Sequence, residues 1–131
     1  MQWNTREHAL MAKAVACAMR SLEPNRHGCV VASKRKVLGR GWNKNKTHPA
    51  ANQTYSKCIH AELAALIGVN TRDLRGVDLF VARVMRTNGE FIGMSRPCKT
   101  CMDMILRSGI RRIYYTVQTE TPTGAWKVIK L

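Results

Sequence analysis

Two cysteines set three apart behind a proline, Pro97-Cys98-Lys99-Thr100-Cys101, constrain this chain more than any other feature. Proline is favoured at the first turn of a helix, and residues three apart share a helix face. Both thiols therefore sit together at a helix start, where free amides and the positive end of the dipole favour thiolate over thiol. Such a pair is half of a metal site or a redox couple, and the fold must bring it a partner. Three further cysteines, Cys17, Cys29 and Cys58, make the total an odd 5. Residues Met1 to Ala9 carry no hydrophobic stretch behind a basic start, so a reducing, cytoplasmic compartment is expected. There metal or redox chemistry is the natural use of Cys-x-x-Cys.

The partner is His60-Ala61-Glu62, at the start of another predicted helix. His60 with Cys98 and Cys101 makes three protein ligands for zinc, and three ligands leave the fourth tetrahedral position to water, the layout of a catalytic site. Water held there has a pKa of roughly 7, and its attack needs a proton acceptor, for which Glu62 is the right residue type. Positions two apart on a helix differ by about 200°. His60 and Glu62 can face one place only if His60 stands at or before the first helical residue. Cys58 as a fourth, structural ligand is one residue from His60, tighter than the usual gap of two to four, and leaves Glu62 without a task. A thioredoxin-like redox pair needs neither His60 nor Glu62. Cys17 and Cys29 read as small buried apolar residues, Met102 and Met104 as core fillers. Trp42 reads as core with a capacity for base stacking, and His8, His27 and His48 read as surface or loop residues.

No repeat, low-complexity tract or linker divides the chain, so residues 1–131 are expected to form one domain. Thr5 can cap a helix to about Leu22 with an apolar stripe at Leu10, Ala14, Cys17 or Ala18, and Leu22, ended by Pro24, Asn25 and Gly28. Strands follow at Cys29–Ser33 and Val37–Trp42, then a polar loop from Asn43 to Ser56 and a helix from about His60 to Gly68. Asp78–Val84 is a strand, and Asn88-Gly89 signals a hairpin returning near Phe91–Met94. The Pro97 helix runs to about Ser108 and stops at Gly109. Ile110–Val117 and Ala125–Leu131 are strands with too short a connection for a crossover, hence antiparallel. A mixed sheet with helices packed on its faces results.

His60-x-Glu62 followed by Pro97-Cys98-x-x-Cys101 matches every fixed position of the zinc deaminase signature, and the chain resembles the cytidine and deoxycytidylate deaminase superfamily. Gly39-Arg40-Gly41-Trp42-Asn43 is similar to that family's second strand, and Ser108 to Tyr115 to the strand after its Cys-x-x-Cys helix; the likeness spans about residues 9 to 117. The resemblance implies a three-layer α/β cytidine-deaminase-like fold, with a mixed five-stranded sheet, helices on both faces and the last two strands antiparallel. It implies one Zn2+ per chain on His60, Cys98 and Cys101. Glu62 would shuttle protons, the Ala61 amide and Asn43 would position base and sugar, and the chain would form a homo-oligomer.

Charge narrows the substrate. Lys and Arg number 22 against 8 Asp and Glu, a net +14, which favours a phosphorylated or polyanionic partner. Lys44, Lys46 and Lys57, with Arg96 and Lys99 beside the cysteines, are candidate contacts to a phosphate or a nucleic-acid strand. No apolar run approaches the roughly 20 residues that span a bilayer, so no membrane partner is expected. Tyr55 to Leu63 is most similar to the deoxycytidylate form of the motif, giving deamination of cytosine to uracil in dCMP or CMP as the first reading. A polynucleotide deaminase acting on cytosine or adenine in single-stranded DNA or RNA competes with it and uses the charge better. A zinc-containing nucleic-acid-binding module without turnover is the third, and it has no need of Glu62.

Overall fold

The computed structural model describes residues 5–34, 36–44, 60–85, 92–117 and 125–131. Its elements are α1 (Thr5–Ala18), β1 (Asn25–Ala32), β2 (Val37–Trp42), α2 (Ala61–Leu66), β3 (Asp78–Met85), β4 (Ile92–Gly93), α3 (Lys99–Ser108), β5 (Arg112–Val117) and β6 (Ala125–Lys130). The strands form one mixed sheet in the order β2-β1-β3-β5-β6, with the short β4 paired to β3 off this path. β3 and β5 are parallel, from Asp78 opposite Arg112 to Val81 opposite Tyr115. The last two strands, β5 and β6, are antiparallel as expected.

Alternation along β3 sends Leu79 and Val81 to one face and Phe80 and Ala82 to the other. On the Phe80 face α1 lays Leu10, Met11, Ala14 and Cys17, and the Phe80 and Tyr114 rings stack at 4.4 Å. On the Leu79 face Ala61, Ala65 and Ile105 cover Cys29, Val31 and Ile113. α2 can lie this low because a Cβ at Gly41 would stand 2.4 Å from the Ala65 amide nitrogen, and one at Gly39 would stand 2.1 Å from the Ala65 carbonyl oxygen. Asp78 opens β3, buried and held by Arg6 at 3.3 Å and Arg111 at 3.4 Å. No helix among the described residues is long and apolar enough to cross a membrane.

Several boundaries differ from expectation. α1 ends at Ala18, and its last turn tightens through bonds from the Arg20 and Ser21 amides to the Cys17 and Ala18 carbonyls. Leu22 is accordingly 88% exposed. β1 starts at Asn25 rather than Cys29 because β3 pairs with it along all eight positions, and tertiary pairing overrides the turn preference of Pro24-Asn25. α2 is shorter than 60–68, and Ile67 is exposed. The Pro97 helix opens at Lys99 and the strand after it at Arg112, while Gly109 ends α3 in the left-handed region at φ 87°. A 3-10 turn at Thr71–Leu74, capped by Asn70, adds an element that the sequence pattern does not mark. The Asn88-Gly89 hairpin and Cys58 lie outside the described residues.

Candidate active site

β3 changes neighbours along its length. Its first half pairs with β5, and beyond Val81 its edge is taken by β4, with Arg83 opposite Gly93. The chain leaving β4 therefore crosses the sheet end where β3 and β2 finish and β1 begins. Ser95 fixes it there. Its buried hydroxyl donates to the Val81 carbonyl at 2.8 Å and accepts from the Thr116 amide at 2.7 Å. Cys98 follows as the N-cap of α3. α2 starts over the same sheet end, with His60 as its N-cap in extended conformation, ψ 153°.

That placement settles the angular problem. His60 lies before the first helical turn, so its ring is free of helical periodicity while Glu62 points inward from the second helical position, 5% exposed. The His60 Nδ1 atom stands 3.5 Å from the Cys101 sulfur and 3.8 Å from that of Cys98, and all three ligand atoms lie within 4.8 Å of one another. A tetrahedral zinc with bonds of about 2.3 Å to sulfur and 2.05 Å to nitrogen places those atoms about 3.6 Å apart. The donor set and its spacing fit zinc. Burial lowers the His60 pKa, keeping the ring neutral as ligation requires.

Burial raises the Glu62 carboxyl pKa, offset in part by hydrogen bonds to its own backbone and to Cys101. Burial pushes the Cys29 thiol far up, helped by Glu62 and Cys101, in keeping with an inert core residue.

These groups open into a cleft of about 380 Å³. Asn43, Lys44, Ala61 and Arg96 line it with His60, Glu62 and Cys98. Ala61 is the first residue of α2, so its amide is among those with no intrahelical acceptor. The Asn43 side chain is partly engaged: its Oδ1 accepts from the His27 amide at 2.9 Å and its Nδ2 donates to the Asn25 carbonyl at 2.6 Å. Lys99 is exposed on α3 and is not among the cleft residues, whereas Lys46 and Lys57 lie outside the described residues.

His27 corrects an expectation. It is a β1 residue lining the cleft, not a surface or loop histidine. Its pKa is lowered to about 4, first by burial, then by Arg83 and His60, against a raising hydrogen bond to the Asn25 backbone. Ser95 is a second residue to which the sequence assigns no role of its own. The alternation of β1 outward from Cys29 could have marked His27, but only with the strand start known.

The chain is 27% identical over 120 residues to human deoxycytidylate deaminase, covering 80% of this chain and 61% of that protein. It thus spans about three fifths of the human relative. Identity is 32% over 123 residues to the deoxycytidylate deaminase of Mycobacterium phage D29, covering 78% of this chain and 87% of that one. Among solved structures, dCMP deaminase from cyanophage S-TIM5 in apo form superposes with a TM-score of 0.65 at 23% identity, covering 91% and 88% of the two chains. Cytidine deaminase from Burkholderia pseudomallei gives 0.64 at 20%, covering 94% and 91%. The family model for the cytidine and deoxycytidylate deaminase zinc-binding region matches residues 4–117, and the chain belongs to that family.

Proposed function

We propose that this chain hydrolyses cytosine to uracil in a nucleotide, most simply dCMP or CMP, with His60, Cys98 and Cys101 as zinc ligands and Glu62 as the proton carrier. One observation carries the reading: a buried carboxyl, Glu62, shares a cleft with His60 and Cys98, whose ligand atoms stand with that of Cys101 at zinc spacing. When bound, zinc supplies the Lewis acidity that makes water nucleophilic near neutral pH.

The remaining work falls to the chain. Glu62, its pKa raised by burial, can hold a proton in the range where the reaction runs and give it up again. It takes the first proton of the attacking water and delivers it to the ring nitrogen. It then takes the second from the new hydroxyl on the ring carbon and passes it to the amine, which leaves as ammonia while the carbon keeps the oxygen as a carbonyl and the carboxylate is restored. Asn43 retains one amide hydrogen and one lone pair beyond its β1 bonds, enough to orient the sugar. The Ala61 amide faces the base. Lys44 and Arg96, both lining the cleft, reach the phosphate.

Relatives named deoxycytidylate deaminase support the substrate class, and the cyanophage enzyme has been solved with dCMP and dUMP. Residues 1–131 act as one deaminase unit in a cytoplasmic homo-oligomer. The test is turnover of dCMP and CMP by zinc-loaded protein, read by mass spectrometry. Glu62→Gln should keep the metal and lose about 10²- to 10⁴-fold in rate. Full turnover by that variant would refute the mechanism.

A further inference from the structure

A second cavity of about 320 Å³ adjoins the cleft, shares Glu23, Asn43 and Lys44 with it, and is completed by Arg20, Leu22 and Trp42. Trp42 ends β2 with its indole half-buried against the α1 side of the sheet. The Lys44 ammonium lies 4.6 Å from the ring centroid and the Arg20 guanidinium 5.0 Å. We propose that this cavity is a subsite for a second nucleotide, joined through its phosphate to the one in the cleft, so that a single-stranded polynucleotide is taken as substrate beside the mononucleotide. The proposal rests on the deamination reading of the cleft and extends it.

An aromatic face bordered by long cationic side chains is the chemistry that takes a base and its phosphate together. Stacking a base on an indole outweighs a cation–π contact made by a solvated side chain. A base can therefore displace Arg20 and Lys44 from the ring and leave both free to meet phosphate oxygens. Lys44 belongs to both cavities, which is where the linking phosphate of two adjacent nucleotides must pass. Glu23, the one acid lining the second cavity among the described residues, is an acceptor for base amino groups rather than a phosphate contact. The net charge of +14 fits the same substrate, since a monophosphate engages only one or two cations.

Binding is the direct test, measured on zinc-loaded Glu62→Gln protein to prevent turnover. A fluorescent ten-nucleotide DNA strand with one central cytosine is compared with dCMP and with a strand whose cytosine has abasic neighbours. The intact strand should bind on the order of tenfold tighter than the abasic-flanked one, and Trp42→Leu should abolish that gain. Arg20→Gln, an exposed change that spares the core, should weaken strand binding and lower the slope of affinity against salt by about 0.7. Equal binding of the two strands to protein with Trp42 and Arg20 intact, or a gain that survives both substitutions, would overturn the subsite. Turnover is scored separately with active protein. Failure on dCMP and strand alike would overturn the deamination reading, whereas turnover of dCMP without a flanking-base gain would overturn the subsite alone.

Discussion

Replacing Gly41 by alanine tests whether the seat of α2 sets the geometry of the metal site. The added Cβ would stand 2.4 Å from the Ala65 nitrogen and 2.6 Å from the Ala64 Cβ. Carbon atoms in contact settle at about 3.5–4.0 Å, so relief requires α2 to lift by about 1 Å. Both obstacles belong to the helix itself, and no flexible side-chain end can yield instead. Overpacking of this kind costs about 1–3 kcal/mol, which lowers the unfolding temperature of a chain this size by roughly 3–15 °C. The same lift carries His60 away from thiols now 3.5 and 3.8 Å from its Nδ1 atom, where a zinc tetrahedron tolerates about 3.6 Å. Zinc affinity, measured by competition with a chromophoric chelator, should fall at least about tenfold, the scale of lost ligand support. Calorimetry of the metal-free protein measures the packing cost separately. Unchanged affinity together with an unchanged unfolding temperature would mean that α2 does not rest on β2 as described.

Three further outcomes are expected. Folded His27 protonates at about 4 against 6.5 for the free side chain, so between those values the unfolded chain holds more protons and stability falls as pH drops through that window. His60 acts in the same sense and Glu62 in the opposite one, its folded form taking a proton first. His27→Gln should therefore flatten the acid side of the stability profile, and parallel profiles for the two proteins would refute the assignment. Ser95→Ala strands the Val81 carbonyl and the Thr116 amide in the interior, at about 1–3 kcal/mol; urea unfolding should show it, and a change within about 0.5 kcal/mol would count against the network. Purified protein should carry about one zinc per chain by atomic absorption, and Cys101→Ser should lose it and unfold at lower temperature; retained metal would place the site elsewhere.

The metal cluster was legible because coordination chemistry fixes residue type and spacing independently of packing: His60, Cys98 and Cys101 converge as anticipated. The requirement that His60 precede its helix was also legible, as a matter of helical angle, and the N-cap position meets it. β2 appears with its expected bounds because alternation and flanking turns agree there. What could not be read depends on distant partners. β1 gains Asn25 to Gly28 only through pairing with β3, and that extension places His27 on the cleft. Leu22 continues the apolar stripe of α1, yet the helix stops four residues short of it, where the Ser21 hydroxyl donates to the Asn43 carbonyl and ties the chain to the end of β2. Ser95 gives no local signal, since its worth lies in a carbonyl 14 residues behind it and an amide 21 residues ahead.

The separation of the ligands has a consequence for the unfolded chain. His60 stands 38 residues from Cys98 and 41 from Cys101. In the loop-entropy account of cross-links, a tie across such a span withdraws about 4 kcal/mol of conformational freedom from the disordered state. The loop so closed contains the whole of β3, the middle strand of the sheet, and β4, while α1, β1 and β2 lie before it and β5 and β6 after it. Zinc held by these three residues would thus be a reversible clasp around the strand on which both halves of the sheet are assembled. Starved of metal, the chain would forfeit the closure of its central segment.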